Sequence, residues 1–176
     1  MSEALKEISI ILDVWDDIFS DFDPRPLDER ELSEDFINEL KKRYRETAKG
    51  ELLISFFAPQ SLKNEQSEKM VIHRLRRYFR ERAAQKRREI LRLRTRGAVF
   101  VLCGIAFLSA ITVAAHYAVV SEFALQLLEI VFVPLGWFGI WEGFSQIVNV
   151  SPAYSQGETL YRKLAEAQYH FHYEGS

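Results

Sequence analysis

The chain has 176 residues, enough for one domain with a sizeable core, and 23 Lys and Arg against 25 Asp and Glu leave a formal charge of −2. Its 48% apolar and 27% charged composition is that of an ordinary soluble protein, but the average hides strong segregation along the chain. A single cysteine, Cys103, excludes an intrachain disulfide and agrees with reducing surroundings for the polar parts.

From the N-terminus, Ile11, Val14, Trp15, Ile18, Phe19 and Phe22 follow helical spacing and predict an amphipathic helix over Glu3 to Ser20, with Asp13, Asp17 and Asp21 stacked on its other face. The next stretch, "DFDPRPLDERELSEDF" from Asp21 to Phe36, holds seven carboxylates. Pro24 and Pro26 break the first helix, and Asp28 is expected to cap a second one with Glu31 as its capping-box partner. Leu32, Phe36, Ile37, Leu40 and Tyr44 form that helix's apolar stripe. Lys49 and Gly50 read as a turn. "ELLISFFAP" (51–59) reads as a strand ended by proline, and "EAQYHFHYE" (166–174) as a second strand with Tyr169, Phe171 and Tyr173 on one side and His170 and His172 on the other. These two strands are expected to pair in one small α/β unit.

From Ser67 to Val120 no proline occurs, which predicts a continuous helix. Its second half, Gly97 to Val120, has no charged residue in 24 positions, and as a helix would span ~36 Å, enough to cross a hydrocarbon core of ~30 Å. A second apolar run from Phe123 to Val148 follows, so the pair predicts a helical hairpin in a bilayer. The acidic opening "MSEALKEISIILDVW" argues against a cleaved signal peptide. The basic flank places both termini in the cytoplasm by the positive-inside rule.

The expected fold class is thus an integral membrane protein, mainly α, with a two-helix transmembrane hairpin and a small, helix-rich cytoplasmic α/β region. Residues 1–72 supply acidic helices and a short strand, 73–96 a basic juxtamembrane helix, 97–120 and 123–148 the membrane helices, and 149–176 a C-terminal helix and strand.

Charge is segregated: residues 1–39 carry thirteen acids and three bases, whereas 73–96 carry eleven bases and two acids. The basic residues Arg74, Arg76, Arg77, Arg80, Arg82, Lys86, Arg87, Arg88, Arg92, Arg94 and Arg96 are expected to meet the anionic inner leaflet, or to receive the acidic N-terminal helices. Nucleic acid is a poor partner for this run, because it lacks interleaved stacking aromatics and abuts the membrane. Glu129 and Glu142 stand inside the second apolar run, where a carboxylate must be neutral, paired or wet, and an ion pathway is their functional reading. Gly136, Gly139 and Gly143, with Ala106 and Ala110 on the first run, mark close-packing faces for the hairpin or for a homo-oligomer. His170 and His172, with Asp21 and Asp23, are the weak candidates for a metal. No cofactor is expected, because no nucleophile-base pair, phosphate-binding glycine loop, HExxH or CxxC pattern occurs.

"IFSDFDPRPLDERELSEDF", the basic helix entering the first apolar run, and "PLGWFGIWEGF" in the second together resemble a group of small, uncharacterised bacterial membrane proteins with two transmembrane helices and an acidic N-terminal cytoplasmic region. The resemblance implies the bacterial inner membrane and carries no activity. The expected function is a non-enzymatic, membrane-anchored oligomeric assembly or scaffold protein whose cytoplasmic part binds a protein partner or the anionic membrane surface. The alternatives are a small oligomeric channel or transport subunit using Glu129 or Glu142, and a metal-dependent membrane-bound enzyme.

Overall fold

The computed structural model describes residues 6–46, 52–117 and 121–174. The protein is mainly helical, and the expected turn at Lys49 and Gly50 lies outside the described residues. Two compact units emerge, one from residues 1–84 with 158–176 and the other from 85–157.

The first unit is built on a three-stranded parallel sheet of β1 (Lys6–Ile11), β2 (Leu52–Pro59) and β3 (Gln168–Glu174), in that spatial order. The expected N-terminal helix is therefore corrected to a strand, followed by a 3-10 turn at Trp15–Ile18. The sequence carries two competing periods here, and the shorter one wins. Ile8, Ile10 and Leu12 alternate into the core, whereas Ile11 and Phe22 of the helical stripe are 78% and 98% exposed. Pairing with β2, from Lys6 opposite Leu52 to Ile11 opposite Phe57, satisfies the backbone of this β-branched segment. The pairing of the second and third strands stands as expected, with Leu53 opposite Gln168 and Phe57 opposite His172.

Helix α1 (Glu34–Glu46) starts six residues beyond the expected cap at Asp28. Phe19 and Leu32 instead form an antiparallel bridge, the Ser33 N–H donates to Ile18 O at 2.9 Å, and the helix opens with the Ile37 N–H on Ser33 O. The acidic stretch is held as a loop by one buried carboxylate. Asp23 accepts the N–H groups of Arg25 at 3.1 Å and Glu31 at 2.7 Å, as well as the Arg25 guanidinium at 2.6 Å. The Arg25 hydrogen bond is the main reason the Asp23 carboxyl titrates well below the usual range; the backbone donors add to it.

Helix α2 (Glu65–His116) is continuous for 52 residues, as its lack of proline predicts. Asn64 caps it, its Oδ1 accepting the N–H groups of Gln66 and Ser67. Val71, Leu75 and Phe79 enter the same core as Phe36, Ile37 and Leu40 of α1 and Leu164 and Ala165 of α4 (Ser151–Glu166). Phe56 is fully buried in this core and stacks on Phe36, Tyr169 and Phe171 with ring centroids 6.2, 6.2 and 5.0 Å away.

In the second unit, α2 continues as an apolar helix opposite α3 (Glu122–Ser145), which a π-helical turn at Gln146–Val150 joins to α4. Both apolar stretches are long enough to cross a membrane, and only 6% and 11% of their most apolar parts are buried. That exposure separates them from the core helices of a water-soluble protein. The two helices run antiparallel and meet through glycine. A Cβ on Gly97 would lie 2.7 Å from Gly143 O, one on Gly104 2.5 Å from Gly136 O, and one on Gly139 3.2 Å from Phe100 O. Side chains are absent where the backbones approach, so the helices pack by direct backbone contact.

Candidate functional site: an open face of the α/β unit

Parallel crossovers are right-handed in nearly every sheet, so two successive crossovers stepping the same way across a sheet set their helices on one face. The order β1-β2-β3 steps one way only. Accordingly the side chains of one parity, Ile8, Ile10, Ile54, Phe56 and Tyr169, are buried in the common core with α1, α2 and α4. The opposite parity carries Glu7, Ser9 and Ile11 on β1, Leu53, Ser55 and Phe57 on β2, and Gln168, His170, His172 and Glu174 on β3. No helix covers this second face among the described residues, although parallel sheets are normally covered on both sides.

The face is ordered by its own contacts. The His172 ring stacks on Phe57 with centroids 5.0 Å apart, and the Ser55 hydroxyl donates to Glu7 Oε1 at 2.6 Å, which leaves Ser55 fully buried. Arg43 of α1 donates to the Ser9 carbonyl and to Glu39 Oε1 at 2.6 Å. Where the strands end, Ile11, Asp13, Phe57, Pro59 and Glu174 border an open crevice of about 630 Å³. Leu53 and Phe57 are half-buried, Ile11 is exposed, and Glu7 and Glu174 belong to the two edge strands, the Glu7 carboxylate being engaged by Ser55. A surface of this kind offers an apolar strip with acidic margins.

The metal candidates are not brought together. His170 and His172 lie on the open face, whereas the Asp23 carboxylate is occupied by Arg25 and backbone donors. Among the described residues no group of three or more His, Cys, Asp or Glu is placed to hold a metal.

The basic residues divide into three sets. Arg74 is buried with its Nε donating to Arg30 O at 2.8 Å, and Arg76 reaches Ala167 O at 3.4 Å and lies over the Tyr169 ring, so these two serve the α/β core rather than a surface. Arg77 pairs with Glu81, Lys86 with Glu89, and Arg82 lies over the Tyr78 ring. Arg80, Arg87, Arg88, Arg92, Arg94 and Arg96 are exposed. The expected docking of acidic helices on this run takes a different form: Arg30 pairs with Asp16 at 2.6 Å within the acidic region itself, and α1 meets α2 through apolar side chains.

Glu129 and Glu142 have different surroundings. Glu129 is exposed, and Glu142 accepts a hydrogen bond from Gln146 Nε2 at 2.8 Å. Gly136, Gly139 and Gly143 do form a packing face, but their partners are Gly97, Gly104 and the Phe100 carbonyl, while Ala106 and Ala110 are exposed. The signal that identifies Gly97 and Gly104 is their seven-residue spacing, which Gly136 and Gly143 repeat.

The arrangement defines a class: a parallel three-stranded α/β unit whose second crossover carries an apolar helical hairpin. No protein family, curated protein or solved structure matches the chain.

Proposed function

We propose that the protein is a non-enzymatic, membrane-anchored assembly protein of the bacterial inner membrane, whose cytoplasmic α/β unit docks a protein partner on its open sheet face. The uncovered face of the parallel sheet carries this reading. Three strands ~4.8 Å apart and about seven residues long present an area of roughly 14 by 23 Å, which one amphipathic helix about 10 Å wide would cover. The partner therefore supplies the helix that the topology leaves out. Its apolar stripe meets Ile11, Leu53 and Phe57, and basic residues beside that stripe meet Glu7 and Glu174.

Membrane anchorage is supported by two long helices with nearly bare apolar surfaces. A water-soluble monomer rarely exposes apolar patches beyond a few hundred Å². The excess of Lys and Arg before the first apolar stretch supports cytoplasmic termini, and the exposed part of the basic run then lies at the anionic leaflet. The resemblance to two-span bacterial membrane proteins supports the source. Homo-oligomers, if formed, must use surfaces other than Gly136, Gly139 and Gly143, because the hairpin itself occupies those.

The test is site-specific photocrosslinking of the full chain in membranes. A crosslinker at Leu53 or Ile11 should give a discrete protein adduct that Phe57→Glu abolishes without releasing the protein from carbonate-washed membranes. Adducts equally strong from exposed Asp28, or unaffected by Phe57→Glu, would refute the docking face. Loss of the wild-type chain on carbonate washing would refute the anchor instead.

A further inference from the structure

The hairpin has a groove on one side that its packing does not fill. Gly104 and Gly139 form the floor, because neither has a side chain, and Phe100, Cys103, Phe107 and Phe138 are among the walls. The groove encloses about 580 Å³, within the range of ligand pockets. Its lining is apolar except at one end, where Arg96 stands with its guanidinium 5.7 Å from the Phe100 ring centroid. No carboxylate pairs with Arg96 among the described residues.

From these observations we infer that the groove binds one acyl chain of an anionic phospholipid, whose phosphate sits on Arg96. The inference rests on the membrane reading of α2 and α3. Two features select the occupant. From Arg96 to Phe107 the groove follows eleven residues of helix, ~16 Å, which matches one leaflet of a ~30 Å hydrocarbon core. An apolar slot of leaflet length with one cation at its outer end complements a lipid with an anionic head. A second copy inserted in the same orientation would instead bring a second Arg96, together with Arg92 and Arg94, to the same depth. Like charges at one depth repel, so a copy of the chain is the poorer occupant. Arg96 lies within cation–π reach of the Phe100 ring, and both residues line the groove, which favours a guanidinium at its mouth.

The experiment uses the full chain in phosphatidylcholine vesicles containing a minor share of phosphatidylglycerol, released into mild detergent and weighed intact by native mass spectrometry. The wild type should retain one phosphatidylglycerol in preference to phosphatidylcholine by about five-fold, the factor one arginine supplies near an anionic surface. Arg96→Gln should remove the preference and Arg96→Lys should keep most of it. Cys103→Trp, which fills the slot without touching the glycine contacts, should abolish retention of both lipids while circular dichroism stays unchanged. Retention that survives both Arg96→Gln and Cys103→Trp would assign the lipid to the general basic belt and overturn the groove. Efficient disulfide crosslinking of two chains through Cys103, with no lipid retained, would give the groove to a second copy. Wild-type protein that floats with vesicles yet retains no lipid also overturns the groove, whereas protein that fails to float overturns the membrane reading itself.

Discussion

The two units solve the same packing problem in opposite ways. In the α/β unit the centre is filled by large side chains: Phe56, Phe79, Phe19 and Leu40 are each almost wholly buried, and the Phe56 ring stacks on Phe36 of α1 and on Tyr169 and Phe171 of β3. In the hairpin the centre is emptied, and Gly97, Gly104, Gly136, Gly139 and Gly143 let backbone approach backbone. The difference accords with the surroundings proposed for each unit, water for the sheet and a bilayer for the hairpin. Water rewards removal of apolar area, at about 25 cal/mol per Å², whereas apolar surroundings offer no such reward and leave close contact as the source of attraction. A large side chain is therefore the essential residue in one unit and the disruptive one in the other.

Truncation in the α/β unit should give the largest effect. Phe56→Ala removes a ring with three aromatic neighbours and no solvent exposure, and should destabilise that unit by about 3–5 kcal/mol. Limited proteolysis should then cut the sheet region while the hairpin helices stay protected; equal protection of wild type and variant would sink this assignment. Enlargement in the hairpin should give the next effect. A Cβ on Gly143 would lie 2.7 Å from Val101 Cγ2 and 2.9 Å from Val101 N, and backbone cannot step aside as a flexible side chain can. Gly143→Ala should therefore cost about 1–3 kcal/mol through overpacking. Gly157 sharpens the contrast, because its added Cβ would first meet Lys86 Cδ at 3.9 Å. Gly157→Ala should stabilise helix α4 by about 0.5–1 kcal/mol. Thermal unfolding of the two variants in detergent, followed by circular dichroism, should shift in opposite directions; shifts of one sign would break the comparison.

Much of this contrast is visible in the residues themselves, but unevenly. The apolar runs and the proline-free helix are local properties, and β2 and β3 announce themselves by alternation and bounding residues. The N-terminal strand does not, because Ile11, Val14, Trp15 and Ile18 fit a helical stripe as well as Ile8, Ile10 and Leu12 fit a strand. What decides is β2, more than forty residues away, whose edge gives β1 its hydrogen bonds. The glycine register of the hairpin is equally non-local. Gly136 to Gly143 contains a visible GxxxG, but Gly97 and Gly104 acquire meaning only when the antiparallel partner is set against them. Ala106 and Ala110 share their spacing rule and face away. The open sheet face could not be read from local pattern at all, since it follows from the order of three strands rather than from any one of them.

The smallest effect expected concerns the acidic loop, where the sequence suggests a ligand cluster and the fold uses one carboxylate as a structural acceptor. Asp23 is ionised to lower pH in the folded protein than in the unfolded chain, whose aspartates titrate near ~3.9. Its contribution is therefore complete above about pH 4 and is lost as pH falls toward the depressed folded value. Asp23→Asn should lower the thermal midpoint of the α/β unit at neutral pH and flatten the decline below pH 4, so that the two curves converge in acid. The loss should remain modest, because the Arg25 side chain is 49% exposed and its ion pair is screened by solvent. Parallel curves down to pH 2 would instead assign the role of Asp23 to shape alone, and the loop between β1 and α1 would then owe nothing to the charge that makes it conspicuous.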